Sequence, residues 1–79
     1  MTQTQVKKTN NQWYPYEEQG CFYKLEDDVL LQAAMNGDGS IDRDGDKVNY
    51  REVDWKYGVA PGEDMKRMKE IVKELEEKE

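Results

Sequence analysis

The side chains with the most chemical capacity sit in one loop. Between positions 36 and 46 stand Asn36, Asp38, Asp42, Asp44 and Asp46, interleaved with Gly37, Gly39 and Gly45. Two carboxylates as close in sequence as Asp42 and Asp44 can in principle exchange protons in acid–base catalysis. Other reactive groups are scarce. The chain has no histidine, so a Ser-His-Asp triad, a Cys–His pair and the usual zinc sites are excluded. Cys21 is the sole cysteine and falls in an alternating apolar stretch, where it reads as a small core residue rather than a nucleophile. The glycines lie among aspartates, which repel phosphate, so no phosphate cradle is expected. A chain of 79 residues offers little wall for a desolvated cleft. The expectation is therefore a binding module, not an enzyme.

The aromatic residues point the same way. Trp13, Tyr14 and Tyr16 crowd into four positions around Pro15, and Phe22 and Tyr57 follow. A small core cannot absorb all of these rings. Rings left at the surface anchor protein interfaces, while surrounding charge sets encounter rate and specificity. Trp13, Tyr14, Tyr16, Phe22 and Tyr57 are thus the candidate partner-binding residues. An edge segment covering the core is the competing reading for positions 13–16. Charge is uneven: residues 17–64 carry thirteen acidic and five basic side chains, a net −8 within a chain total of −6. Such a surface repels nucleic-acid backbones and suits a basic or apolar protein partner. In the extreme form, Asp38, Asp42, Asp44 and Asp46 imitate phosphates, making the chain a nucleic-acid mimic aimed at a basic DNA-binding protein.

These groups need elements to hold them. Residues 1–12 are, after Met1, Thr, Gln, Asn and Lys with a single Val6, too polar to offset the entropy of ordering, and are expected to be a disordered tail. Residues 13–79 form one small domain. Cys21, Tyr23 and Leu25 alternate with Phe22 and Lys24, the period of a strand over 21–25. Glu26-Asp27-Asp28 makes a tight turn, and Val29–Ala34 reads as the returning strand, with a short helix as the alternative. A third strand spans 47–55. Val48 and Tyr50 share one of its faces and Val53 and Trp55 the other, and a bulge at Arg51-Glu52 would bring both pairs inward.

The C-terminal helix, 61–78, is the clearest element. Pro61 suits its first turn, and Met65, Met68, Ile71, Val72 and Leu75 recur at spacings of three and four. The fold class is then α+β: a three-stranded antiparallel meander covered by one amphipathic helix. The expected core is Tyr23, Leu25, Val29, Leu31, Val48, Tyr50, Val53, Trp55, Met65, Met68, Ile71, Val72 and Leu75. The helix stripe is narrow enough to serve alternatively as a homodimer seam. Sheet packing is preferred, because the meander otherwise lacks a cover.

Length and cysteine use set the compartment. Small scaffolds generally need a staple, yet a lone cysteine excludes an intrachain disulfide. That suits a reducing, cytoplasmic setting. No apolar run is long enough for a membrane span, and the first residues lack the apolar core of a signal peptide.

Two resemblances add expectations. The segment Asn36-Gly37-Asp38-Gly39-Ser40-Ile41-Asp42 resembles the calcium loops of EF-hand and dockerin proteins. The resemblance implies oxygen ligands at alternate positions and a glycine at the sharp turn. Asn36, Asp38, Asp42 and, with altered geometry, Asp44 or alternatively Asp46 would be the metal ligands and calcium the cofactor. Ala34 stands where the family has its first Asp, and Gly45 where it has its last acidic ligand. Asn-Gly and Asp-Gly pairs also belong to ordinary hairpins, so a plain acidic loop is preferred. The succession of FYKL, VLL, a DG-containing loop and EVDW is similar to small uncharacterised acidic proteins of tailed bacteriophages and their bacterial hosts. That implies an accessory or host-interaction role and carries no catalytic residues.

Overall fold

A computed structural model describes residues 8–57 and 64–78. Its centre is the hairpin of β2 (Cys21–Glu26) and β3 (Val29–Ala34), closed by Asp27 and Asp28. Both turn residues adopt positive φ, 52° and 66°. A two-residue hairpin turn of type I′ needs this at both central positions, and Asp tolerates it better than most side chains. The turn is braced from outside. The Asp27 N–H donates to Thr9 Oγ1, the Asp28 N–H to the Lys8 carbonyl, and the Lys8 N–H to Asp28 Oδ1.

The sheet runs β1 (Tyr14–Tyr16), β2, β3 and β6 (Tyr50–Val53), every neighbour antiparallel. β1 enters β2 through a 3-10 turn, Glu17–Gln19. Between β3 and β6 the chain leaves the sheet. Met35 bridges Ile41, and a small ribbon follows, β4 (Arg43–Asp44) against β5 (Lys47–Val48). Gly45, at φ 68°, occupies the first corner of that ribbon's turn. A second 3-10 turn, Trp55–Tyr57, follows β6. The helix α1 spans Met65–Glu77, with Asp64 as its N-cap, the Asp64 carboxylate accepting from the Lys66 N–H.

One side of the sheet and one side of α1 make the core: Cys21, Tyr23, Leu25, Leu30 and Val53 against Met68, Ile71, Val72 and Leu75. Tyr14, Tyr16 and Trp55 pack half-buried around it. The helix stripe read from the sequence is thus the helix's buried face, with Met65 only half-buried at its start. The α+β class, antiparallel sheet and single helix agree with expectation.

Several details differ, each for a physical reason. The sheet has four strands, because Tyr14–Tyr16 pairs with β2 as an edge strand. The strand expected over 47–55 is split: β5 belongs to the ribbon, β6 to the main sheet, and Trp55 to the second 3-10 turn. No bulge forms at Arg51-Glu52. The register runs unbroken from Ala33↔Tyr50 to Leu30↔Val53. An odd separation puts Tyr50 and Val53 on opposite faces, so Tyr50 leaves the core and is 55% exposed. Val48 is only half-buried, in the ribbon.

The Asp27-Asp28 turn pairs Leu25 with Leu30, so Leu30, rather than Val29 and Leu31, joins the helix side. Cys21 is in the core as expected. Of the tail expected to be disordered, residues 1–7 lie outside the described residues. Asn10, however, is buried; its N–H donates to the Leu25 carbonyl and its Oδ1 accepts from the Leu25 N–H. Ordered chain therefore begins before Trp13. Pro61, expected in the first helical turn, also lies outside the described residues.

Candidate functional site: the open face of the sheet

With α1 on one side, the sheet's other face carries no helix among the described residues. Alternation assigns its side chains. Cross-strand pairing aligns Pro15, Phe22, Ala33 and Tyr50 in one row, and Lys24, Leu31 and Glu52 in the next. Residues directly opposite one another in antiparallel strands share a face.

Leu31 and Ala33, though remote from α1, are only 4% and 2% exposed. The rings of Trp13 and Tyr50 lie on this face, as does Phe22 opposite Ala33; the first two form a pair. These two start from opposite edges of the sheet and meet with centroids 5.7 Å apart at 46°, which brings them over β2 and β3. The Lys24 ammonium lies 5.9 Å from the Trp13 ring centre and pairs with Glu26 at 3.3 Å. A cation near an indole is attracted by the ring's quadrupole. The result is an apolar floor, two half-uncovered rings above it, and one cation already matched.

The structure divides the sequence-nominated aromatics. Trp13 and Phe22 lie on the open face. Tyr14 and Tyr16 lie on the helix side. The Tyr14 hydroxyl donates to the Lys78 carbonyl at 2.7 Å, and the Tyr16 hydroxyl donates to Glu74 at 3.4 Å. Burial, reinforced by the neighbouring Glu74 carboxylate, pushes the Tyr16 phenol up to about 12. Tyr16 also meets Tyr23 edge-to-face at 5.3 Å. These two tyrosines fasten β1 to the helix and present little to a partner. Tyr57 ends the second 3-10 turn, and its side chain lies outside the described residues. Tyr50, expected in the core, takes its place beside Trp13. The signal for it in the sequence is the odd spacing from Val53, which only a bulge could cancel and which the unbroken register preserves.

The acidic loop closes on itself. The Asp38 carboxylate accepts from both the N–H and the hydroxyl of Ser40, which hold it below the usual carboxylate range. Asn36 Nδ2 donates to Ser40 Oγ and to the Ile41 carbonyl. Asp42 accepts from Asn49 Nδ2 at 3.4 Å, and Asp44 lies exposed in β4. Among the described residues, no group of three or more acidic, cysteine or histidine side chains is placed to hold a metal ion. Cys21 is buried beside the side-chain amides of Gln19 and Gln32. Tyr23 shares that network, donating to Gln19 and accepting from Gln32.

No helix among the described residues is long and apolar enough to cross a membrane. Compared with protein-family models, curated proteins and solved structures, the chain matches none.

Proposed function

We propose that this chain is a non-enzymatic interaction module that receives a protein partner on the open sheet face, with Trp13, Phe22 and Tyr50 as anchors. The observation that carries the reading is the Trp13–Tyr50 pair over Leu31 and Ala33, with Tyr50 still 55% exposed. A large, rigid ring half-covered at a surface has already lost much of its conformational freedom. A partner that finishes covering it gains apolar contact at little further entropic cost. The role is that of an accessory protein acting in the cytoplasm.

The test is capture of partners by the folded wild type, by Tyr50→Ala, by Trp13→Ala, and by a variant with Asp38, Asp42, Asp44 and Asp46 changed to Asn. Retention of the fold is checked by circular dichroism. Proteins retained by the wild type should be lost with either ring variant and kept by the loop variant. Loss with the loop variant alone, steep in salt, would move the interface to the loop and restore the nucleic-acid-mimic reading.

A further inference from the structure

The open face changes character along its strands. Its middle is aromatic. Towards the end where β2 turns into β3, carboxylates take over. A cleft of about 440 Å³ opens at that end, at the rim between the two faces: Asp27, Asp28, Glu52, Asp54 and Lys56 line it together with Val53 and Trp55, which belong to the helix side. Glu52 belongs to both regions, since it stands opposite Leu31 in the sheet and also lines the cleft.

We propose that the partner carries a lysine or arginine beside its apolar residues, the cation entering this cleft while the apolar groups rest on Trp13 and Tyr50. The proposal rests on the reading of the open face as a docking surface, and charge selects the occupant. Four carboxylates line the cleft against the single ammonium of Lys56, which lies 5.6 Å from the Trp55 ring centre. Lys24, the cation in the same row of the open face as Glu52, is taken by Glu26. The ion pairs among the described residues engage none of Asp27, Asp28, Glu52 and Asp54. An acidic or neutral segment covering this end would dehydrate carboxylates without a counter-charge, which is unfavourable. A second copy of the chain would bring like charges together, because the whole molecule carries −6. A basic segment gains from the same arrangement, and the flanking indole suits an alkylammonium or guanidinium.

The experiment uses the full chain, labelled with nitrogen-15, and three end-blocked peptides. All share the same leucines and carry lysine, serine or glutamate between them. The lysine peptide should shift the amides of Leu31, Ala33, Tyr50, Glu52 and Asp54 together with the Trp13 indole, and its Kd should weaken as salt is raised. Glu52→Gln combined with Asp54→Asn should weaken that peptide about threefold to tenfold, the scale of exposed charge pairs, with an unchanged melting temperature. Equal binding of the three peptides at the same amides overturns the charge assignment and leaves the docking surface standing. Lysine-peptide binding indifferent to the double variant, or shifts confined to the 36–46 loop, overturns the cleft. No shift on the open face from any peptide at millimolar concentration overturns both readings.

Discussion

Truncating Tyr50 to alanine separates the open-face arrangement from the bulged alternative, because the two predict different losses. A fully buried aromatic covers 150–250 Å². With Tyr50 55% exposed, roughly 80–100 Å² of ring is removed from water, about 2 kcal/mol at ~25 cal/mol per Å². Compactness of the unfolded chain and the Cβ that alanine retains both lower that figure. Contact with the Trp13 ring supplies about 0.5–1.5 kcal/mol, partly the same free energy counted again. The expected loss is therefore about 1–2 kcal/mol, or a melting-temperature drop of roughly 4–15 °C for a domain of this size. Had Tyr50 pointed into the core, truncation would cost about 3–5 kcal/mol, as for other buried rings.

Urea denaturation followed by circular dichroism gives the stability difference, and Leu75→Ala provides a core reference at about 2–5 kcal/mol. The Trp13→Ala, Tyr50→Ala double-mutant cycle should return a coupling of about 0.5–1.5 kcal/mol. A loss of 3 kcal/mol or more would refute the open-face placement. No loss together with zero coupling would refute the ring pair. The magnitude also bears on function: a variant weakened this little remains folded, so its binding can be measured.

Three further expectations follow from local geometry. The Tyr16 phenol, raised from 10.0 to about 12, contributes stability that is complete below pH ~10 and is lost as the pH climbs through the folded value. Solvent screening of the half-exposed ring reduces the effect to about 1 kcal/mol. Alkaline denaturation of wild type against Tyr16→Phe should show that difference vanish with rising pH. In the acidic loop, Gly39 has φ 88° whereas Gly37 lacks a positive φ, and an added Cβ would meet nothing within 4 Å at either. Thermal melts should therefore show Gly39→Ala destabilised by about 1–2 kcal/mol and Gly37→Ala stabilised by about 0.4–1 kcal/mol. Removing the helix cap with Asp64→Ala should cost about 1 kcal/mol by the same measurement, and Asp64→Asn should retain most of it.

Local sequence was sufficient where a signal needed no partner. The spacing Met68, Ile71, Val72 and Leu75 defines one helical face whatever it packs against. The alternation of Cys21, Tyr23 and Leu25 defines a strand with one buried side. Asp27-Asp28 and Gly45-Asp46 announce turns, because their backbone or side chains make tight corners accessible. The missing histidine removes whole chemistries without any structure.

Tertiary structure decided every question of which side faces what. Period-two alternation states only that neighbours differ; it does not say which set meets the helix. In Val29-Leu30-Leu31 both sets are apolar, and the choice of Leu30 came from the two-residue turn that opposes it to Leu25. The same pairing, carried across to Val53, turned Tyr50 outward. Asn10, polar and set in a polar stretch, is buried because Leu25 offers it both a donor and an acceptor. The candidate site was legible in part, as Trp13 and Phe22. Its completion by Tyr50, and the diversion of Tyr14 and Tyr16 to the helix, were not. Those placements depend on strand register, a relation between distant segments that no local pattern encodes.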